Sequence, residues 1–153
     1  MWKRRIKIST RKGLRVLEII IPGEPIAKKR PRFARRGKFV TTYNDQQTEE
    51  GKFISQVLHQ INGHTPFTGP LTVNIFCYRS RPKSHYGTGR NAKKIKPSAP
   101  KWPITKPDKD NYEKFILDCL NEIVFKDDAQ VCDGRTIKAY AEQPKTIIQI
   151  SEL

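Results

Sequence analysis

Apolar and polar residues alternate with a period of two through Leu71-Thr72-Val73-Asn74-Ile75-Phe76-Cys77-Tyr78. Successive side chains of a β-strand point to opposite faces of its sheet, so this pattern predicts a strand with one buried face. Before it, apolar residues at helical spacing predict a helix over about residues 46–62, capped by Asn44 or Asp45. After it, five prolines between residues 80 and 107 predict an irregular loop.

The rest of the chain predicts a mixed sheet with two main helices. A second helix over about residues 111–124 carries an apolar stripe. Short runs of β-branched and aromatic residues predict further strands at Val16–Ile21, Phe39–Tyr43, Ala129–Val131, Thr136–Ala141 and Thr146–Ile150. A chain of 153 residues is the size of one domain. We therefore expect a single compact α+β domain over residues 17–153, preceded by a basic N-terminal arm over residues 1–16.

Charge is distributed unevenly along the chain. The 30 Lys and Arg residues against 15 Asp and Glu residues give a net charge of +15, and such an excess indicates an acidic partner such as a phosphate backbone. Residues 79–106 contain basic residues and no acidic one, whereas residues 107–133 contain more than half of all the carboxylates. A protein that only binds phosphates gains nothing from clustered carboxylates, but a metal-dependent nuclease requires them within positive surroundings.

The acidic segment combines a helix start with several carboxylates. Asp110 is a suitable N-cap, and Glu113 at the third helical position would complete a capping box. Asp127 and Asp128 follow the helix. Capping, an ion pair with Lys114 and a polar turn are the simpler interpretations, but they do not explain several carboxylates gathered together. Oxygen ligands without histidine or thiolate suit Mg²⁺ or Mn²⁺ better than Zn²⁺.

The cysteines and the hydropathy pattern indicate the compartment. Cys77, Cys119 and Cys132 are odd in number and lack a C-x-x-C spacing, which argues against a disulfide framework or a zinc site. No apolar run approaches the roughly 20 residues of a membrane span. The basic segments also lack an amphipathic helix with a broad apolar face, which argues against a membrane-surface partner. We expect a cytoplasmic protein.

Three segments resemble the RusA family of Holliday-junction resolvases. The first is Pro107-Asp108-Lys109-Asp110-Asn111-Tyr112-Glu113-Lys114, and the second is Lys126-Asp127-Asp128-Ala129-Gln130-Val131. The third, Pro22-Gly23-Glu24-Pro25-Ile26-Ala27-Lys28-Lys29-Arg30-Pro31-Arg32-Phe33, resembles the opening of that family. The resemblance covers about residues 17–150. It implies a RusA-like fold and a homodimeric, Mg²⁺-dependent endonuclease of bacteria or their phages that cuts four-way DNA junctions.

The resemblance also implies roles for particular residues. Asp108, Asp110 and Asp128 match the metal-binding carboxylates and Lys114 matches the catalytic lysine, while Asp127 is a less favoured ligand. The basic segments are expected to hold DNA phosphates, through Lys28, Lys29, Arg30, Arg32, Arg35, Arg36, Arg81, Lys83, Lys93 and Lys94. Phe33, Tyr86 and Trp102 are candidates for stacking on bases, although simple packing explains each of them equally well.

Two alternative functions remain open at this point. A metal-dependent nuclease for other branched or single-stranded DNA would use the same residues. A non-catalytic nucleic-acid-binding module would account for the charge of +15 but not for the clustered carboxylates.

Overall fold

The computed structural model describes residues 13–43 and 45–153, so most of the predicted N-terminal arm lies outside the described residues. Within these described residues, seven strands and two main helices follow one another. They are β1 (Val16–Pro22), β2 (Arg32–Arg36), β3 (Phe39–Tyr43), α1 (Gln47–Gln60), β4 (Leu71–Ser80), α2 (Lys109–Leu120), β5 (Val131–Asp133), β6 (Thr136–Ala141) and β7 (Lys145–Glu152). The predicted α+β domain is confirmed as a mixed five-stranded sheet with two helices.

Strand β4 is the centre of the sheet, as its regular alternation predicts. It pairs antiparallel with β7, which pairs antiparallel with β1, so that Val16 lies opposite Ser151. Its other edge pairs in parallel with β5 and then with β6. Parallel strands require a crossover connection, and α2 lies within this one. Gly134 lies between β5 and β6, which both pair with the same edge of β4. A Cβ at this position would clash with the carbonyl oxygen of Val73, so the close approach to β4 requires glycine.

The core lies between the two helices and one face of the sheet. Leu71, Val73, Ile75 and Cys77 of β4 are all buried on this face. The aromatic rings of Phe53 in α1 and Phe115 in α2 meet edge to face with centroids 5.4 Å apart. Both helices therefore cover the same side of the sheet, and α2 is held rigidly by its apolar stripe.

The opposite face of the sheet carries a row of half-buried apolar side chains. The strand register places Ile20, Ile147, Phe76 and Ile137 next to one another across four strands. The neighbouring row on the same face is polar and runs from Glu18 through Gln149 to Asn74 of β4. In this row Gln149 donates a hydrogen bond of 2.8 Å to Glu18. This apolar row crosses the sheet on the side away from the helices.

Strands β2 and β3 form a separate two-stranded hairpin. The sequence pattern predicted β3 but not β2, which was expected to be only a phosphate-binding segment. The strands are joined by the two-residue turn Gly37–Lys38, and Gly37 has a φ of 60°, which favours glycine at the first position of such a turn.

The predicted helix caps were wrong where the structure describes them. Asp45 forms an ion pair with Arg32, with 3.2 Å between Oδ2 and Nε. Gln46 occupies the N-cap of α1 instead. Asn44, the other predicted cap, lies outside the described residues. Helix α2 starts after Asp108 rather than Asp110. Glu113 makes no capping box, because its Oε2 accepts a hydrogen bond of 2.8 Å from the Thr136 hydroxyl. The predicted strand at Ala129 begins only at Val131, after a short 3₁₀ turn.

The long basic loop between β4 and α2 is irregular, as predicted, but it is tied to the sheet. The Arg79 guanidinium donates to the carbonyl oxygen of Lys106, and Lys138 Nζ donates to those of Thr105 and Pro107 at 2.8 and 3.0 Å. These bonds fix the chain just before α2. Within the described part of the chain, no helix is long and apolar enough to cross a bilayer.

Candidate functional site

Helix α2 presents a polar face to solvent opposite its buried stripe. Tyr112, Phe115, Ile116, Cys119 and Leu120 are buried against the sheet and α1. On the other side, Asp108 at the N-cap, Asp110 and Lys114 are all exposed. Residues four apart lie one above the other on a helix, so Asp110 and Lys114 share this face. The structure thus brings together three of the residues expected to be catalytic, at the N-terminal end of α2.

The Asp127–Asp128 pair lies beyond the other end of α2. Asp127 Oδ1 accepts a hydrogen bond of 2.8 Å from the backbone N–H of Ala129, and the backbone N–H of Asp127 donates one of 2.9 Å to Gln130 Oε1. This capping box gives Asp127 a structural role. The backbone N–H of Asp128 donates to Asn121 Oδ1 at 3.0 Å, which fixes the turn against the C-cap of α2 and leaves the Asp128 carboxylate exposed.

The carboxylate of Asp128 is in surroundings that disfavour its charge. Partial desolvation raises its pKa, and the neighbouring carboxylates of Asp127 and Asp118 raise it further. The hydrogen bond from Ala129 acts in the opposite direction but does not offset them. Repulsion among these three aspartates is the condition that a bound cation would relieve.

The three carboxylates expected to bind metal belong to two ends of α2: Asp108 and Asp110 lie at its start, and Asp128 follows its end. A helix rises about 1.5 Å per residue, so Asp110 and Asn121 are about 16 Å apart along α2. Asp128 is attached at the Asn121 end. In residues 13–43 and 45–153, no group of three or more His, Cys, Asp or Glu side chains is arranged to hold an ion. The type of donor atom suits Mg²⁺, but the arrangement in a single chain does not complete a site.

Lys28, expected to hold DNA, is part of an ion-pair cluster. Its Nζ lies 3.0 Å from Glu50 Oε1 and 3.1 Å from Asp118 Oδ2. Burial opposes the charged form, but hydrogen bonds to these two carboxylates outweigh it, so the pKa of Lys28 is raised. The role of Asp118 was not predicted, although its position two turns after Asp110 places it on the same face of α2.

The other residues expected to bind DNA fall into two groups. Some are engaged within the protein: Lys29 pairs with Glu49 at 3.0 Å, and half-buried Arg81 donates to the carbonyl oxygen of Pro100 at 2.8 Å. Arg32, as described, pairs with Asp45. The remaining residues are exposed, as Lys29 and Arg32 also are, and consist of Arg30, Arg35, Lys83, Lys93 and Lys94. The side chain of Arg36 lies outside the described residues.

Gln46 is a structural residue that sequence reasoning missed. It is fully buried, its Nε2 donates to the carbonyl oxygen of Ala27 at 2.7 Å, and its Oε1 accepts from the backbone of Lys29 at 2.9 Å. Because these partners precede β2 while Gln46 follows β3, the side chain closes the neck of the hairpin. The neck also lies against α2, since the Lys28 backbone donates to the carbonyl oxygen of Asn111 at 2.9 Å. Only contacts distant in sequence reveal this role.

Comparison with known proteins agrees with these features. Residues 22–151 match the family described as endodeoxyribonuclease RusA. The chain is also 36% identical over 141 residues to a protein of Bacillus subtilis (strain 168) named "Uncharacterized protein YqaN", an alignment that covers 90% of this chain and 96% of that protein. Both the segment leading into the hairpin and the whole of α2 fall within the matched range. The chain belongs to the RusA endodeoxyribonuclease family.

Proposed function

We propose that the protein is a Mg²⁺-dependent endodeoxyribonuclease that resolves four-way DNA junctions by paired hydrolysis of phosphodiesters, in DNA recombination and repair. The observation that carries this proposal is the exposed face of α2, where Asp108, Asp110 and Lys114 lie together at the N-terminal end of the helix. Membership of the RusA family supports the choice of reaction and of substrate class. We place this activity in the bacterial cytoplasm, where the DNA substrate lies.

The residues on α2 suit this chemistry. Asp108, Asp110 and Asp128 are proposed to hold Mg²⁺, or Mn²⁺ in its place, and such an ion supplies an activated water and neutralises charge on the phosphate. Lys114 projects from the same face as Asp110, one turn further on. Its ammonium would stabilise the negative charge that develops on the phosphate during hydrolysis.

The exposed cations are proposed to hold the arms of the junction. Lys83, Lys93 and Lys94 lie in the loop that the sheet anchors next to the start of α2. Arg30 lies just before the hairpin, and Arg35 lies on its first strand. Contacts to phosphates position a protein on DNA without reading its sequence. Arg81, Lys28, Lys29 and Arg32 support this surface mainly by fixing its backbone, because each is engaged with protein oxygens.

We also propose that the active form is a homodimer. Two matched cuts in a nearly two-fold symmetric junction require two sites, and a two-fold dimer is the commonest soluble oligomer. The separation of Asp128 from Asp110 within one chain supports this proposal, because a second chain offers another source of carboxylates. The apolar row containing Phe76 and Ile147, on the sheet face away from the helices, is the proposed contact.

Cleavage of synthetic DNA tests the proposal directly. Purified protein is incubated with a four-way junction or with linear duplex of the same sequences, with Mg²⁺ or with EDTA. We expect paired cuts in the junction only, and only with Mg²⁺. Cleavage of flaps or single strands in preference to the junction would favour the alternative nuclease, and binding without cleavage in any condition would favour a non-catalytic DNA-binding module.

A further inference from the structure

The β2–β3 hairpin exposes apolar side chains that the domain does not cover. Phe33, Phe39 and Val40 have 72%, 79% and 62% of their surfaces exposed. Large apolar side chains in such numbers on a short surface segment mark an interaction site. A two-stranded hairpin is at best marginally stable alone in water, so a partner that covers these side chains would also stabilise it.

Apolar side chains lie on both faces of this hairpin. Directly opposed residues of an antiparallel pair share a face. Phe33 opposite Thr42 and Val40 opposite Arg35 therefore lie on one face, whereas Phe39 lies on the other with Ala34. A surface that packs against a single flat partner needs only one apolar face. This two-faced arrangement instead suits insertion between two apolar surfaces.

The charge of the hairpin identifies the class of partner. Residues 28–43 contain seven Lys and Arg residues and no acidic residue. Basic side chains next to exposed aromatic rings are typical of surfaces that bind bases whose stacking is interrupted: the cations neutralise phosphates and the rings stack on the bases. Apolar wedges of this kind, phenylalanine among them, are inserted between base steps by several DNA-binding proteins.

The neck of the hairpin places it beside the candidate site. Gln46 clamps its two ends together, and the segment before β2 is bonded to α2 through Lys28 and Asn111. This contact is within the first turn of α2, next to Asp110. The hairpin is therefore rooted beside the candidate site, and its five-residue strands carry Phe39 roughly 17 Å beyond the neck.

We propose that the β2–β3 hairpin is a wedge that recognises branched DNA by stacking Phe39, at its tip, and Phe33, on its other face, against bases left without a neighbour at the branch point. This inference rests on the proposed function for its substrate. It adds a structural basis for selecting branched over continuous duplex DNA, a selection that phosphate contacts alone do not provide.

Binding measured in EDTA tests the wedge separately from cleavage. A four-way junction with 2-aminopurine at the branch point reports both affinity and base stacking. We expect Phe39→Ala to bind the junction about tenfold more weakly and linear duplex as tightly as the wild type, because stacking on an aromatic ring stabilises an exposed base. Phe39→Tyr should retain junction binding, whereas Phe39→Leu should lose it. Leu58→Ala is the matched control, since Leu58 is an exposed apolar residue of α1, outside the segments proposed to contact DNA.

The possible outcomes separate the wedge from the proposed function. Unchanged junction affinity and unchanged 2-aminopurine fluorescence in Phe39→Ala would overturn the wedge, while cleavage of junctions by the wild type would leave the proposed function standing. Conversion of a dimer into a monomer by Phe39→Ala would also overturn it, because the hairpin would then bind a second copy of the chain. A wild type that prefers a bulged or single-stranded DNA, with that preference lost in Phe39→Ala, would support the wedge and contradict junction resolution.

Discussion

The ammonium of Lys28 lies 3.1 Å from the carboxylate of Asp118, and this ion pair joins the segment leading into the hairpin to the polar face of α2. The same ammonium also reaches Glu50 of α1. One basic side chain therefore connects three elements around the candidate site. It supports the geometry of the proposed DNA-binding surface rather than belonging to its exposed part.

Replacing Lys28 should reduce stability. We expect Lys28→Met to lower the free energy of unfolding by about 1–2 kcal/mol, because it leaves two carboxylates without their shared donor. Urea denaturation measures the change. Arg30→Met is the matched control: Arg30 is exposed, so its replacement should change stability by less than about 0.5 kcal/mol but weaken DNA binding. Equal stabilities of the two variants would contradict a structural role for Lys28.

The stabilisation by Lys28 should depend on pH at the alkaline end. Its pKa is raised in the folded protein, so its contribution is complete below the ordinary lysine pKa of about 10.4 and disappears as the pH rises through the folded value. The stability difference between wild type and Lys28→Met should therefore be constant at neutral pH and narrow in alkaline solution. A difference that narrows between pH 6 and 8 would assign the effect to another group.

Asp128 should be required for cleavage but not for binding. Asp128→Asn removes a proposed metal ligand while keeping the backbone hydrogen bond to Asn121, so the turn should remain intact. We expect loss of Mg²⁺-dependent cleavage with junction affinity near that of the wild type. Glu142→Gln is the control, because Glu142 is an exposed acidic residue in the turn between β6 and β7. Substantial turnover by Asp128→Asn would remove this residue from the site.

The loop residues Lys93 and Lys94 should contribute to affinity in a salt-dependent way. The logarithm of the binding constant falls with the logarithm of salt concentration at a slope of about −0.9 per phosphate neutralised. The double change Lys93→Ala/Lys94→Ala should make this slope shallower and weaken binding to all forms of DNA alike. Fluorescence polarisation at several salt concentrations provides the slope, and an unchanged value would mean that these residues do not contact DNA.

The apolar row on the sheet should control the oligomeric state. We expect the wild type to sediment as a dimer at micromolar concentration and Phe76→Asp as a monomer, because a carboxylate would be buried in the proposed contact. Asn74→Asp is the control on the same strand and the same face. Circular dichroism checks that both variants fold. A folded Phe76→Asp variant that remains dimeric would place the dimer contact elsewhere.

The three cysteines should differ sharply in reactivity. Burial raises the pKa of Cys77 and of Cys119 to about 12, whereas Cys132 is exposed. At pH 8 only about one in ten thousand of the buried thiols would be thiolate, the reactive form. We expect one thiol per folded chain to react rapidly with a disulfide reagent and three per chain in denaturant. Rapid reaction of all three in the folded protein would contradict the described core.

Several strands could be predicted from sequence because one face of each is buried. Alternation identified β4 and a β-branched run identified β1, and every second residue along most of each strand is buried. Strand β2 was missed, because Arg32-Phe33-Ala34-Arg35-Arg36 buries no alternate face and pairs only with β3. Its stability depends on a clamp by Gln46, which lies ten or more residues away along the chain. Local pattern carries no information about such a contact.

The candidate site was predictable in composition but not in arrangement. The resemblance to the RusA family identified Asp108, Asp110, Lys114 and Asp128, and helical spacing predicts that Asp110 and Lys114 share one face of α2. The position of Asp128 depends on the turn after α2, which Asn121 and the capping box of Asp127 determine. The cap of α2 was misplaced by two residues, and the predicted partner Glu113 instead accepts a hydrogen bond from Thr136 of a distant strand.

The position of β7 between β1 and β4 has a consequence for synthesis of the protein. The first and last strands of the sheet are direct neighbours, with Val16 opposite Ser151. On a translating ribosome, β1 therefore remains without the sheet partner that it has among the described residues until β7 has emerged. Contacts between such distant positions form slowly, because a long loop must close first. Helix α2 and its carboxylates thus emerge before the strand that joins β1 to β4, and the candidate site gains its complete scaffold only once β7 is available.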